Sequence, residues 1–170
     1  TERDHAALYG IFGRFVPQSI VNAMIAGGGT LAPIEREASV LFADIAGFTA
    51  MTERVGAART VEIVNAYFDA VTRIIGAHNG IVTQFQGDGV LATFNVPIAD
   101  PGHARNAFEA ACAILACVAG REFAGERVRV RIGINTGSLV AGNVGGGGRQ
   151  SYTVYGDTVN LAARLEALCK

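Results

Sequence analysis

Apolar residues recur along this chain with two different periods. Between Ser39 and Ile45 they form a nearly unbroken run, Val40-Leu41-Phe42-Ala43, the pattern of a short strand buried on both faces. From residue 57 to about 78 the spacing changes to three and four, with Val61, Val64, Phe68, Val71 and Ile75 in step. That predicts an amphipathic helix, which Asn79-Gly80 stops. Two strand-like runs follow at 81–86 and 90–95, and Gly87-Asp88-Gly89 between them predicts a hairpin.

A second helix is expected over residues 102–119, with Phe108, Ala111, Cys112, Leu115 and Val118 on one face. Residues 128–134 alternate strictly, so one side should be buried while the other carries arginines. Residues 139–144 are expected as the hairpin partner of that strand across Thr136-Gly137, and Gly145 to Gly148 as a flexible turn. Residues 150–154 read as a last strand, and Gly156-Asp157 opens a helix through Leu168. Ahead of the central strand, residues 1–26 read as helical with a break at Pro17. Leu8, Ile11, Phe12 and Phe15 precede the break, while Ile20, Val21 and Met24 share one side of a short second helix. Residues 31–38 read as a linker. The order β-α-β-β-α-β, with one extra strand and helix, predicts an α+β, ferredoxin-like sandwich. Residues 1–37 would be a helical lead-in that couples the domain at 38–170 to something upstream.

Composition narrows this picture. The 170 residues suffice for one domain, and 50% hydrophobic against 17% charged argues for a packed globule. A formal net charge of -1 gives no bulk attraction to nucleic acid. Mean hydropathy is positive, yet the longest uncharged helical stretch, 110–120, is roughly half the ~20 residues of a membrane span. No signal peptide opens the chain and its first residue is Thr, so a piece of a longer protein is expected. Cys112, Cys117 and Cys169 fit no metal spacing and read as buried free thiols in a reducing, cytoplasmic compartment.

Candidate chemistry starts at Asp44. It follows the buried run and precedes Ala46-Gly47 and Thr49, which could cap the next helix. A carboxylate at a strand end, facing free amides at a helix start, suits a metal ion carrying phosphates. Asp, Gly and Thr are equally ordinary turn formers, and the same holds for Asp88 in its hairpin. These two are the acidic residues at strand ends in tight turns. Asn160 and Arg164 lie four apart on one helix and share a face. Taken alone, Arg164 also reads as a solvated helix arginine paired with Glu166 or Asp157. The Gly145–Gly148 run is not a phosphate loop, because no Gly-Lys-Ser/Thr follows it.

Three segments together resemble the class III nucleotidyl cyclases, in the right order and over nearly the whole chain. Phe42-Ala43-Asp44-Ile45-Ala46-Gly47-Phe48-Thr49 is similar to their first metal-binding motif, and Gln86-Gly87-Asp88-Gly89-Val90-Leu91-Ala92 to their second. The segment from Tyr152 through Arg164 resembles their ribose and transition-state motif, and Phe12-Gly13-Arg14-Phe15-Val16-Pro17 the lead-in of many bacterial members. The resemblance implies two Mg²⁺ or Mn²⁺ ions held jointly by Asp44 and Asp88, with help from the Ile45 carbonyl. Gly47, Phe48 and Thr49 would lie against the substrate, Asn160 on the ribose and Arg164 on the α-phosphate. It also implies a homodimer whose sites combine the aspartates of one chain with the ribose and transition-state residues of the other.

Gln84 and Thr153 stand where the family reads the purine. Adenylyl cyclases usually carry Lys at the first position and Asp, or Thr in many bacterial members, at the second; guanylyl cyclases carry Glu and Cys. Thr153 leans towards adenine, whereas the Gln84 amide suits either base by flipping. Ser138 stands where some members place a triphosphate-binding arginine. A family lysine and the closing strands would fall beyond Lys170, so a truncated C-terminal end is expected. The implied reaction turns ATP into 3′,5′-cyclic AMP and pyrophosphate, by in-line attack of the ribose 3′-oxygen on the α-phosphorus. A guanylyl cyclase acting on GTP and a regulatory cyclase-like domain remain alternatives. A different α+β nucleotide enzyme such as a diguanylate cyclase is disfavoured, since no Gly-Gly-Asp/Glu-Glu-Phe hairpin is present.

Overall fold

The computed structural model describes residues 17–29 and 31–169. The helix expected before Pro17, with Leu8, Ile11, Phe12 and Phe15, lies outside them. The elements in chain order are α1 (Gln18–Ala26), β1 (Ile34–Ile45), α2 (Phe48–Val55), α3 (Ala57–Ala77), β2 (Ile81–Gln86), β3 (Gly89–Phe94), α4 (His103–Gly120), β4 (Val130–Gly146), β5 (Arg149–Tyr155) and α5 (Asp157–Leu168). Five strands form one sheet in the order β2-β3-β1-β4-β5, each antiparallel to its neighbours. The first four strands, with α3 and α4 as crossovers, give the expected α+β ferredoxin-like sandwich. The β4–β5 hairpin adds the extra strand.

β1 is the axis of the fold, because its two faces feed two separate cores. Leu41, Ala43 and Ile45 point towards α3 and α4 and pack with Ile63, Tyr67 and Ile114. Ala38 and Val40 point the other way and pack with Ile20, Leu139, Tyr152, Val154 and Ala162. All five β1 residues are at most 1% exposed. Full burial of Leu41 or Ile45 contributes on the order of 1.5–3 kcal/mol each. Opposite this strand, Tyr67 meets Phe123 edge-on, with ring centroids 5.9 Å apart.

Several expectations are corrected. Residues 34–37, expected in a linker, belong to β1 and pair with β4 from Ala141 to Ser138. Thr49 does not cap α2. Gly47 occupies the N-cap at φ 71°, and no side chain caps the helix. On α3 the buried residues are Thr60, Ile63, Val64, Tyr67, Ala70, Val71 and Ile75, while Val61 is exposed. On α4 the small residues Ala107, Ala110 and Ala111 face inward with Ile114 and Val118, leaving Phe108, Cys112 and Leu115 exposed. Small side chains let the helix sit close to the sheet, so the larger apolar stripe turns outward. The cysteines are free but not buried: Cys112 and Cys169 are exposed and Cys117 is half-buried.

No hairpin forms at Thr136-Gly137. β4 runs unbroken there, with Thr136 opposite Ser39 and Gly137 opposite Ala38. A type I′ two-residue hairpin turn needs positive φ at both central positions. Gly147 at φ 60° and Gly148 at φ 79° meet that need, and the strand turns there. The glycines within β4 serve packing instead. A Cβ on Gly133 would lie 2.3 Å from the Ala162 carbonyl oxygen and 2.3 Å from the Glu166 nitrogen. That close approach seats α5 directly on β4, where Asn135 donates to the Thr158 carbonyl at 3.0 Å.

Candidate active site

β1 delivers Asp44 to its C-terminal end, one residue before the chain leaves the sheet. The β2–β3 hairpin brings Asp88 to the same place, with Gly87 at φ 59° making the turn. The two are fastened together by the backbone: the Ile45 amide donates to Oδ2 of Asp88 at 2.9 Å. Asp44, Asp88, Phe42, Gln86, Leu91 and Glu166 line one cleft of about 150 Å³.

Asp44 is held from the other side by Arg131, its cross-strand partner on β4. The guanidinium is bidentate, with Nε donating to Oδ1 at 2.9 Å and Nη2 to Oδ2 at 2.7 Å. Glu166, on α5, places Oε1 3.1 Å from the same Nε. That N–H points at Asp44, so Oε1 of Glu166 is buried without a hydrogen-bond partner. Two carboxylates, Asp44 and Glu166, therefore share one guanidinium.

Their protonation follows from this crowding. Burial raises the Asp88 carboxyl, the hydrogen bond from Ile45 pulls against it, and the charge of Asp44 adds to the rise. Glu166 is pushed up to about 7, first by burial and then by its proximity to Asp44, with Arg131 opposing. Tyr67, beneath the sheet end, has a buried hydroxyl without a partner. Burial, reinforced by the negative charges of Asp44, Asp88 and Glu166, holds its phenol well above the usual range.

The donor set suits a divalent cation that arrives with phosphates. Among the described residues no group of three His, Cys, Asp or Glu side chains forms a ready cage. Mg²⁺ is rarely caged that way; it keeps waters and takes one or two carboxylates together with substrate phosphates. Asp44 and Asp88, joined through Ile45, are such a pair. The two hydrogen bonds from Arg131 leave lone pairs on both Asp44 oxygens for a cation.

The remaining expected site residues are spread around this cleft. Gly47 and Thr49 are exposed at the start of α2, and Phe48 packs half-buried against the first core. Asn160 and Arg164 share an exposed flank of α5, turned away from the buried line of Val159, Ala162 and Glu166. Arg164 makes no ion pair with a described residue, and Glu166 faces Arg131 rather than Arg164. Gln84 is exposed on edge strand β2, opposite Leu91, and Thr153 is half-buried on β5, opposite Gly142. Ser138 donates to Glu35 at 3.2 Å.

Arg131 and Glu166 were missed as site residues. The alternation of 128–134 marks Arg131 as facing away from the first core, and the 159–162–166 spacing marks Glu166 as facing the sheet. Neither pattern tells which carboxylate waits opposite.

Comparison with known proteins agrees with the fold. Residues 32–170 match the family described as the adenylate and guanylate cyclase catalytic domain. Adenylate cyclase 1 of Rhizobium meliloti is 37% identical over 166 residues, covering 94% of this chain and 25% of that protein. The chain thus spans about a quarter of that relative's length. A bacterial light-regulated adenylyl cyclase superposes with a TM-score of 0.83 at 30% identity, covering 98% of this chain and 50% of the other. The guanylate cyclase domain of RhGC from Catenaria anguillulae, solved in complex with GTP, superposes with a TM-score of 0.77 at 28% identity, covering 82% of this chain and 76% of that one.

Proposed function

The chain belongs to the adenylate and guanylate cyclase catalytic domain family, and on that premise we propose that it converts ATP to 3′,5′-cyclic AMP and pyrophosphate. One observation carries the reading: Asp44 and Asp88, from separate elements, meet in one cleft. Asp44 and Asp88, assisted by the Ile45 carbonyl, would hold two Mg²⁺ or Mn²⁺ ions, which neutralise the attacking 3′-oxygen and the departing pyrophosphate. Asn160 positions the ribose, and the Arg164 guanidinium stabilises charge on the α-phosphate as it builds. A preorganised donor of that kind is typically worth on the order of 3 kcal/mol in the transition state. Gly47, Phe48 and Thr49 border the phosphates at the start of α2.

The site is shared between two chains. A cleft of about 150 Å³ is small for a nucleotide, whose pockets run to roughly 300–1,000 Å³. Asn160 and Arg164 face outward, away from the aspartates of their own chain. Around them Val140, Val144, Tyr155, Leu161, Leu165 and Leu168 expose large apolar side chains on β4, β5 and α5. A surface of that kind is what a partner covers. A two-fold homodimer would set one chain's Asp44 and Asp88 against the other's Asn160 and Arg164, making two equivalent sites.

Gln84 and Thr153 read the base. Thr153 favours adenine, and the exposed Gln84 amide accepts either purine, so cyclic GMP formation is the second reading. Residues 1–37 would transmit a signal from an upstream sensor or membrane domain to a cytoplasmic catalytic domain. Among the described residues no helix is long and apolar enough to cross a membrane. The deciding experiment incubates purified protein with ATP or GTP and Mg²⁺ or Mn²⁺, identifying the product by mass. Cyclic AMP as main product supports the reading; cyclic GMP as main product, or no turnover with either, overturns it.

A further inference from the structure

We infer that Arg131 is a positioning residue for Asp44, holding that carboxylate where a divalent cation can take it, and that Glu166 on α5 steadies Arg131 for the task. The inference rests on the cyclase reading of Asp44 as a metal ligand and adds two residues that reading does not use.

Arg131 and Asp44 stand directly opposite one another in the β1–β4 ladder, so neither backbone can drift away from the other. Their contact is the bidentate form, at 2.9 and 2.7 Å, which fixes the plane of the carboxylate as well as its distance. A lysine would hold Asp44 as a point charge and leave its plane free. Glu166 approaches Nε at 3.1 Å from the opposite element, and its oxygen is enclosed without a hydrogen bond. Such an atom is costly to keep. Its place 3.1 Å from Nε is intelligible if it keeps Arg131 over the cleft.

The local packing leaves Arg131 little choice of position. Two residues further along the same face, Gly133 brings the α5 backbone hard against β4. α5 therefore closes over Arg131 and carries Glu166 down to it. Among the described residues only Arg131 donates to the Asp44 side chain, so without the guanidinium nothing would hold the plane of that carboxylate. Asp44 would then rotate out of the geometry that it shares with Asp88.

The test measures Mn²⁺ binding by the loss of the free-ion electron paramagnetic resonance signal. It uses the whole protein with an ATP analogue lacking the 3′-hydroxyl, which cannot react. Melting temperatures of the metal-free proteins are taken alongside. Arg131→Lys, which keeps the charge but not the fork, should weaken Mn²⁺ binding about ten- to a hundredfold, the usual effect of losing a group that orients a metal ligand. Glu166→Gln, close to isosteric, should weaken it by a smaller factor and serves if Arg131→Lys does not fold. Either folded variant with wild-type Mn²⁺ affinity, whatever its melting temperature, would make the pair a structural ion pair and overturn the inference. Asp44→Asn separates the two readings. If that variant binds Mn²⁺ as wild type does, Asp44 is not a ligand and the cyclase reading itself fails; if it loses binding while Arg131→Lys does not, only the positioning role fails.

Discussion

The Ile45 amide donates to Oδ2 of Asp88 at 2.9 Å, so the hairpin carrying one site carboxylate is tied to the strand end carrying the other. This bond gives Asp88 two separable jobs, one through its shape and one through its charge. Asp88→Asn keeps an acceptor for Ile45 and should fold with near wild-type stability, yet lose activity by about a hundredfold or more. Asp88→Ala should lose the same activity and in addition about 1 kcal/mol of stability, because the Ile45 amide is orphaned. Denaturant melts and initial rates on the two proteins check this. A well-folded Asp88→Asn protein with near-native turnover would remove Asp88 from the chemistry.

Glu166 makes stability depend on pH in a stated direction. An unfolded chain ionises this carboxyl near 4.5, whereas the folded protein, through burial and Asp44, holds its proton up to about 7. Between those values the folded state binds the extra proton. The contribution is therefore fully present below about pH 4.5 and is lost as pH rises through about 7. Glu166→Gln removes this titration, so its stability relative to wild type should grow across that window. Urea unfolding of both proteins at a series of pH values, with chelator present, measures the difference; a flat difference contradicts the assignment.

Gln84 should act on selectivity rather than on rate alone. An ammonium offers only donors and a carboxylate only acceptors, so Gln84→Lys should shift kcat/KM towards ATP and Gln84→Glu towards GTP. Because Gln84 is exposed on an edge strand, neither change should unfold the protein. If both substitutions scale ATP and GTP turnover by one common factor, Gln84 does not touch the base.

The shared site predicts complementation. Asp44→Ala and Arg164→Ala proteins should each be inactive alone and regain activity when mixed. Random exchange makes about half of the dimers mixed, each with one intact site, so recovery should approach about one quarter of wild type. Specific activity of the unmutated protein should also climb with concentration, since a free chain has only half-sites. A mixture that stays inactive while mass measurement shows mixed dimers would rule out this division of residues between chains.

The chain by itself determined the features that depend on neighbours in sequence. β1 was legible because a strand buried on both faces must be apolar at successive positions, and Val40-Leu41-Phe42-Ala43 has no other good reading beside a following Asp-Ile-Ala-Gly turn. The Asp88 hairpin was legible from its Gly-Asp-Gly turn, and α5 from the Gly156-Asp157 start. Asp44 and Asp88 were thus found by local chemistry, and their meeting in one cleft was implied by family resemblance rather than derived. Tertiary structure alone decided the rest. Arg131 lies 87 residues from Asp44, and only the β1–β4 register places one across from the other. Thr136-Gly137 resembled a turn, but a long ladder with β1 and the approach of α5 keep β4 straight through it. The inward face of α4 followed its alanines rather than its bulkiest apolar residues, because the distance between helix and sheet decides which side chains fit. The 159–162–166 spacing turns Glu166 towards the sheet, but nothing in the sequence names the group that it meets there. Seating α5 on Gly133 buries Glu166 beside Arg131 and raises its proton affinity.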